Sequence, residues 1–349
     1  MTVKIDVNTK NGSFAFESED GEKLLFAGLR AGLSLPYECA TGTCGTCKAR
    51  VETGDIDLGW EQAPGRSYMK AEKREFLMCQ AHAKGACAIY VPGKQPLDKR
   101  PAILPGYHKG MIAKADRLTH DVVAFTLELA SPIDFEAGQF VVLDAEGVTG
   151  GRAYSMVNYA RDTKTLDFVV KKKPGGKFCD WLFEDGIVGR SLGMFGPLGR
   201  ATFHPEEGKN VLCIGGGSGI AGMMSIVSRA CGENYFADRK GYVFFGVRTS
   251  KDTFYLDELS AYVARFPDGL SVTIALSDEE PPAGLVQKYA NLNFATGFVH
   301  AVTSSRMAGK FENMVAYVGG PPPMVDGALR MLVLEARLPG TDIRYDKFG

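Results

Sequence analysis

Alternating apolar and polar positions open the chain: Val3, Ile5 and Val7, then Phe14 and Phe16, on either side of Asn11-Gly12. A period of two flanking such a dipeptide predicts a hairpin of two strands. In EKLLFAGLRAGL the period changes, with Leu24, Leu25, Leu29 and Leu33 at helical spacing, and Gly32 and Pro36 end that helix. The stretch 91–105 carries four prolines among charged residues and reads as an extended linker. From about residue 106 to 203, the short runs MIAKADRLT, VVAFTLEL, GQFVVLD, RAYSMV and LDFVVKK alternate with turn signals. That pattern predicts a small antiparallel barrel or sandwich. From Asn210 the runs VLCIGG, GYVFFGV, LSVTIAL and MVAYVGG are separated by segments with helical potential, which predicts a parallel α/β sheet. The chain therefore divides into an α+β multidomain arrangement at 1–95, 104–205 and 206–349, in keeping with 349 residues at roughly 100–200 per domain.

Charge and cysteine content narrow the function classes. The formal net charge is −1 and the pI is near 6.5, so no global field draws the chain to nucleic acid or to an anionic membrane. MTVKIDVNTKNG lacks the pattern of a secretory signal, and the longest apolar runs fall far short of the roughly 20 residues that span a bilayer. A cytoplasmic location is the expectation. Four of the eight cysteines crowd into Cys39–Cys79, which without an export signal points to metal binding ahead of disulfides. The five histidines are dispersed and take no role.

The cysteine spacing is Cys39-x4-Cys44-x2-Cys47, with Cys79 far downstream. This is the plant-type [2Fe–2S] spacing, in which four thiolates hold two irons. Gly42 and Gly45 allow the tight backbone that turns N–H groups toward sulfur, and Ala40, Thr41, Thr43 and Thr46 leave room for a cluster. Structural zinc is the competing metal, although only Cys44 and Cys47 form the C-x2-C unit typical of it. A Rieske centre is disfavoured because no Cys-x-His occurs. Cys87 reads as a core thiol.

With Arg152-Ala153-Tyr154-Ser155 added, the whole chain resembles the ferredoxin–NADP reductase superfamily, and within it the reductase components of bacterial multicomponent oxygenases. The toluene monooxygenase type is the nearest in pattern, through LPYEC, GW-x3-AP and a terminus ending D-K-F. The resemblance implies a β-grasp ferredoxin domain, an antiparallel β-barrel that binds FAD, and an α/β nicotinamide domain. It implies that Arg152 pairs with the FAD pyrophosphate, that Ala153 and Tyr154 lie along the flavin, and that Ser155 stands near the atom receiving hydride. Val170-Lys171 and Gly175-Gly176-Lys177-Phe178-Cys179 form the second flavin element, with Cys179 where Ser or Thr is usual. A thiol is a weaker hydrogen-bond partner, so one phosphate contact is weakened.

For the nicotinamide the resemblance implies Gly216, Gly217, Ser218 and Gly219 at the strand–helix turn, Arg248 at the adenosine ribose, and Gly320-Pro321-Pro322 after the strand VAYV. One isolated arginine favours NADH over NADPH. Gly222 replaces a usual proline, which predicts a looser helix start, and Gly319 replaces a usual cysteine, which predicts a larger hydride pocket. Phe348 matches the aromatic that covers the flavin ring; a packed terminal residue is the equal alternative.

The expected function is an NADH-dependent reductase carrying electrons through FAD and [2Fe–2S] to an oxygenase or a small ferredoxin, docked near Cys39–Cys47 with Glu38, Lys48 and Arg50 at its edge. The alternative, motivated by the two glycines, is a redox-sensing flavoprotein on the same scaffold that signals to a regulator and oxidises NADH poorly.

Overall fold

The computed structural model describes residues 2–93, 96–98 and 100–347. The first unit pairs β1 (Thr2–Thr9) with β2 (Gly12–Glu19) in an antiparallel hairpin whose turn residues are Lys10-Asn11, one position earlier than the dipeptide suggested. Helix α1 (Leu24–Arg30) follows, then β3 (Lys48–Thr53), β4 (Ile56–Asp57), β5 (Glu75–Leu77), β6 (His82–Ala83) and β7 (Cys87–Tyr90). The main sheet runs β2-β1-β7-β3-β5, with β1 and β7 parallel. Helix α1 buries Leu24, Leu25, Phe26 and Leu29 against it, as the helical spacing required.

The second unit contains β8 (Gly106–Arg117), β9 (Val122–Ile133), β10 (Phe140–Ala145), β11 (Arg152–Ser155), β12 (Thr163–Lys171), helix α2 (Lys177–Leu182) and β13 (Ser191–Leu198). These strands form one antiparallel sheet, ordered β11-β10-β13-β8-β9-β12, whose end strands β11 and β12 approach each other to make a barrel. Its interior is filled by residues such as Leu127, Phe135, Leu143 and Phe168, all fully buried.

The third unit is a six-stranded parallel sheet of β14 (Asn210–Gly216), β15 (Gly241–Val247), β16 (Leu270–Leu276), β17 (Asn293–Thr296), β18 (Met314–Gly320) and β19 (Ile343–Lys347), in the order β17-β16-β15-β14-β18-β19. Helices α3 (Ile220–Gly232), α4 (Leu256–Arg265), α5 (Ala283–Lys288), α6 (Val299–Met307) and α7 (Pro322–Leu334) alternate with the strands. The near-continuous apolar runs of β14 and β18 reflect burial on both faces.

The units share cores. Phe140, Val142, Phe195 and Leu198 of the barrel belong to the same apolar cluster as the first unit, and the Phe26 ring stacks on Phe195 with centroids 4.1 Å apart. Ala137, Val169 and Phe203 join the core of the third unit, where the Arg229 guanidinium also pairs with Glu136. No helix among the described residues is long and apolar enough to cross a membrane.

Candidate functional site

The loop between α1 and β3 is bent by left-handed residues at Ala40 (φ +56), Gly42 (φ +90) and Gly45 (φ +80). That bend brings Cys39, Cys44 and Cys47 together with Cys79, which follows β5. The thiols meet in two pairs, Cys39 with Cys44 and Cys47 with Cys79. Cys39 Sγ accepts from the N–H groups of Thr41 (3.5 Å) and Cys44 (3.4 Å), and Cys79 Sγ accepts from Gln80 Nε2 (3.5 Å). The hydrogen bond with the Cys44 thiol, helped by these backbone groups, holds Cys39 down to about 5 against the effect of burial. The same contact pushes Cys44 up. Two thiol pairs with N–H groups aimed at sulfur fit a cluster of two irons, one pair to each.

Of the flanking charges, Lys48 pairs with Glu75 (3.5 Å) and Arg50 lies over the Tyr90 ring (4.4 Å). Glu38 is exposed and joins two units: it accepts from the Thr46 hydroxyl of the cluster loop at 3.1 Å and from the Tyr345 hydroxyl of the third unit at 3.4 Å.

A cavity of about 820 Å³ opens between the barrel and the C-terminal ends of β14, β15 and β18. Open parallel sheets bind ligands at these ends. The barrel wall is made by Val122, Ala153, Tyr154, Ser155, Val169 and Lys171. The opposite wall is the turn Gly216–Gly219 with Arg248, Gly320 and Pro321. This turn feeds α3, whose free N–H groups and positive end suit a phosphate. Tyr154 is held from behind, its ring 5.4 Å from Phe178, and burial, followed by the neighbouring Cys179, pushes its hydroxyl far above the ordinary tyrosine value.

Several sequence-predicted residues lie off the cavity wall. Val170 points into the barrel core, as period two demands when Val169 and Lys171 face the cavity, and Phe178 is in the same core. The Cys179 thiol donates to the Lys171 carbonyl (3.7 Å), so it is committed to β12. Arg152 folds back onto the carbonyls of Gly150 (3.2 Å) and Gly151 (2.9 Å). Gly175, Gly176 and Lys177 lead into α2 outside the wall, and Pro322 starts α7 beside it. Phe348 lies outside the described residues.

Both glycine expectations are corrected. A Cβ at Gly319 would stand 2.6 Å from the Gly219 carbonyl oxygen, so main chain already fills that space and the pocket is not enlarged. Gly222 sits in the first turn of α3, which begins at Ile220 without interruption. A Cβ there would make ordinary 3.6 Å contacts with Ser155.

Other residues at the site went unnoticed in the sequence. Arg248 Nη2 lies 3.4 Å from Asp252 and 3.8 Å from Asp121, which also pairs with Lys171 at 3.1 Å. Burial pushes Asp252 up, but hydrogen bonds from the Thr249 hydroxyl and N–H, with the Arg248 charge, hold it below the usual carboxylate range. Phe298, which is 67% exposed, stacks on His300 at the cavity edge. The available signal was Gly297, whose φ of +126° marks a sharp bend after β17.

Comparison with known proteins agrees with this geometry. Residues 8–84 match the 2Fe-2S iron-sulfur cluster binding domain, 109–203 the oxidoreductase FAD-binding domain and 213–330 the oxidoreductase NAD-binding domain. The alkene monooxygenase system ferredoxin–NAD(+) reductase component of Xanthobacter autotrophicus is 32% identical over 340 residues, 97% of this chain and 99% of that one. The ferredoxin–NAD(P)(+) reductase CarAd of Metapseudomonas resinovorans is 33% identical over 331 residues, 94% and 95% of the two chains. Among solved structures, the ferredoxin reductase in carbazole 1,9a-dioxygenase superposes with a TM-score of 0.83 at 30% identity, covering 100% of this chain and 99% of that one. The Amycolatopsis cytochrome P450 reductase GcoB gives 0.81 at 28% identity over 99% and 98%. The chain belongs to the family of ferredoxin–NAD(P)+ reductases that serve as reductase components of multicomponent oxygenases.

Proposed function

We propose that this reductase takes electrons from NADH and delivers them, through FAD and the [2Fe–2S] cluster, to an oxygenase component or a small ferredoxin. The carrying observation is the convergence of three elements in one chain: two thiol pairs on the first unit, the Tyr154–Ser155 wall, and the glycine turn facing it across one cavity. FAD and the cluster, when bound, supply the exchange between two-electron and one-electron chemistry. Cys39, Cys44, Cys47 and Cys79 hold the irons. Tyr154 offers a ring face whose position Phe178 and Cys179 support, and Ser155 orients the reacting edge next to α3. The Gly216–Gly219 turn and Gly320 let backbone approach the nicotinamide phosphates, and Lys171 brings a positive charge to the same cavity.

The Arg248 guanidinium is shared between Asp252 and Asp121, which supports NADH over NADPH: a ribose phosphate would meet two carboxylates beside the one cation. We assign the functional units to 1–95, 104–205 and 206–349. The protein acceptor docks at the exposed side of the cluster loop, where Tyr68 is 63% exposed beside Gly45. Nothing in the structure or the relatives supports the redox-sensing alternative, and the occupied space at Gly319 removes its main motive.

Anaerobic rapid mixing of the loaded protein with NADH tests the reading. Flavin bleaching at roughly 1–1000 per second, followed by cluster reduction, is expected. Reduction over minutes with both centres intact would overturn it.

A further inference from the structure

The segment that leads into the first cluster ligand is gripped from both other units. Tyr37, two positions before Cys39, accepts on its hydroxyl oxygen a hydrogen bond from the Gly199 N–H at 3.0 Å. Arg200 places its guanidinium 5.7 Å from the centre of the Tyr37 ring and donates to the Leu35 carbonyl at 3.4 Å. From the other side, Tyr345 on β19 reaches Glu38. The three units meet here around a second cavity of about 300 Å³, lined by Pro36, Tyr37, Gly199, Arg200, Tyr345 and Asp346 among others.

The barrel end of this grip is joined to the hydride wall. Gly199 has φ +102, and its position against Phe140 is so close that a Cβ would come 3.0 Å from that ring. Phe140 is the cross-strand partner of Ser155. A short run of contacts therefore leads from Cys39 through Tyr37, Gly199 and Phe140 to the residue at the flavin edge. Each link is main chain, ring packing or a single hydrogen bond, so the separation of ligand loop and flavin wall depends on all of them.

We propose that Tyr37 is a positioning residue for internal electron transfer: its hydroxyl, with Arg200, clamps the cluster loop at a set distance from the flavin-binding wall. The proposal rests on the reading that electrons pass from flavin to cluster within the chain. The Tyr37 hydroxyl bond is distinct from the apolar contacts that attach the first unit, among them the stack of Phe26 on Phe195, with Tyr107 4.8 Å from Phe195. Removing the Tyr37 hydroxyl leaves that stack untouched. It orphans the Gly199 N–H and frees the loop to relax, and small misplacements of reacting centres carry large rate penalties.

The test is anaerobic rapid mixing of loaded Tyr37→Phe protein with NADH, with flavin and cluster absorbance followed separately. The flavin phase keeps its wild-type rate, and the cluster phase slows by about 5-fold, the change that one lost hydrogen bond makes in a clamped population. The cluster's EPR signature and reduction potential stay unchanged, which a general structural loss would not allow. Arg200→Gln, made from the barrel side, gives the same split and carries the test if Tyr37→Phe assembles its cluster poorly. A wild-type cluster phase in both variants overturns the clamp, as does an equal fall in both phases or a slowing matched by a shifted potential. Absence of flavin bleaching in the wild-type protein would instead overturn the functional reading, and the clamp with it.

Discussion

The carbonyl oxygen of Gly219 occupies the space in which a side chain on Gly319 would begin, 2.6 Å from the position of a Cβ there. Gly219 is equally constrained, since its own Cβ would come 2.4 Å from the Gly320 Cα. The Gly216–Gly219 turn and the end of β18 thus lie main chain against main chain. Gly319→Ala must push the turn away. Overpacking of this kind costs about 1–3 kcal/mol. The expected result is a lower urea midpoint and a raised KM for NADH with flavin content unchanged; an unchanged midpoint and KM would show that the turn yields freely.

Gly222 predicts the opposite sign. It lies inside α3, and a Cβ would meet Ser155 and the Gly138 carbonyl at 3.6 Å, ordinary contact. Gly222→Ala removes backbone freedom from the unfolded chain and should stabilise the protein by about 0.5–1 kcal/mol. Thermal unfolding of the pair decides the point, and a loss of stability would mean that the contact with Ser155 is tighter than the structure shows.

The proposed preference for NADH, argued from the carboxylates around Arg248, is one that a single substitution should shift. Asp252→Asn removes the nearer of them, at 3.4 Å, and leaves Asp121 at 3.8 Å. Use of NADPH, measured as kcat/KM against NADH, should improve by several-fold and at most about 10-fold, since a partly exposed ion pair is worth about 1 kcal/mol. A ratio that does not move would place the ribose elsewhere.

Asp346 links stability to pH. Burial first, and then the charge of Glu38, push its carboxyl from the ordinary 3.8 up to about 7. Between those values the folded state binds more proton than the unfolded one, so this group makes stability fall as pH rises through that window. The side chain keeps some exposure, which reduces the effect below the full shift. Asp346→Asn should therefore match the wild type in thermal midpoint below about pH 4 and exceed it above about pH 7. Parallel midpoint curves across the range would refute the assignment.

By sequence alone the four cysteines that the fold brings together were legible as a group, because three of them sit within nine residues at a spacing that a tight loop can present to one site. The strands of the parallel sheet were legible for a similar reason: burial on both faces leaves β14, β15, β16 and β18 as unbroken apolar runs. Strand β13, SLGMFGPL, was hidden by its glycines and proline, and only pairing with β8 and β10 makes it a strand. Which flavin-segment residues face the cavity depended on the pleat, so Val169 and Lys171 line it while Val170 does not. The role of Gly319 was misread because its neighbour in space, Gly219, is 100 positions away in the chain. Tyr37 and Gly199, 162 positions apart, meet only when the first unit docks on the barrel. Local period, loop sterics and ligand spacing act over a few residues and are written in the sequence. Close approaches between distant segments come from how the finished cores pack, and only the tertiary structure decides them.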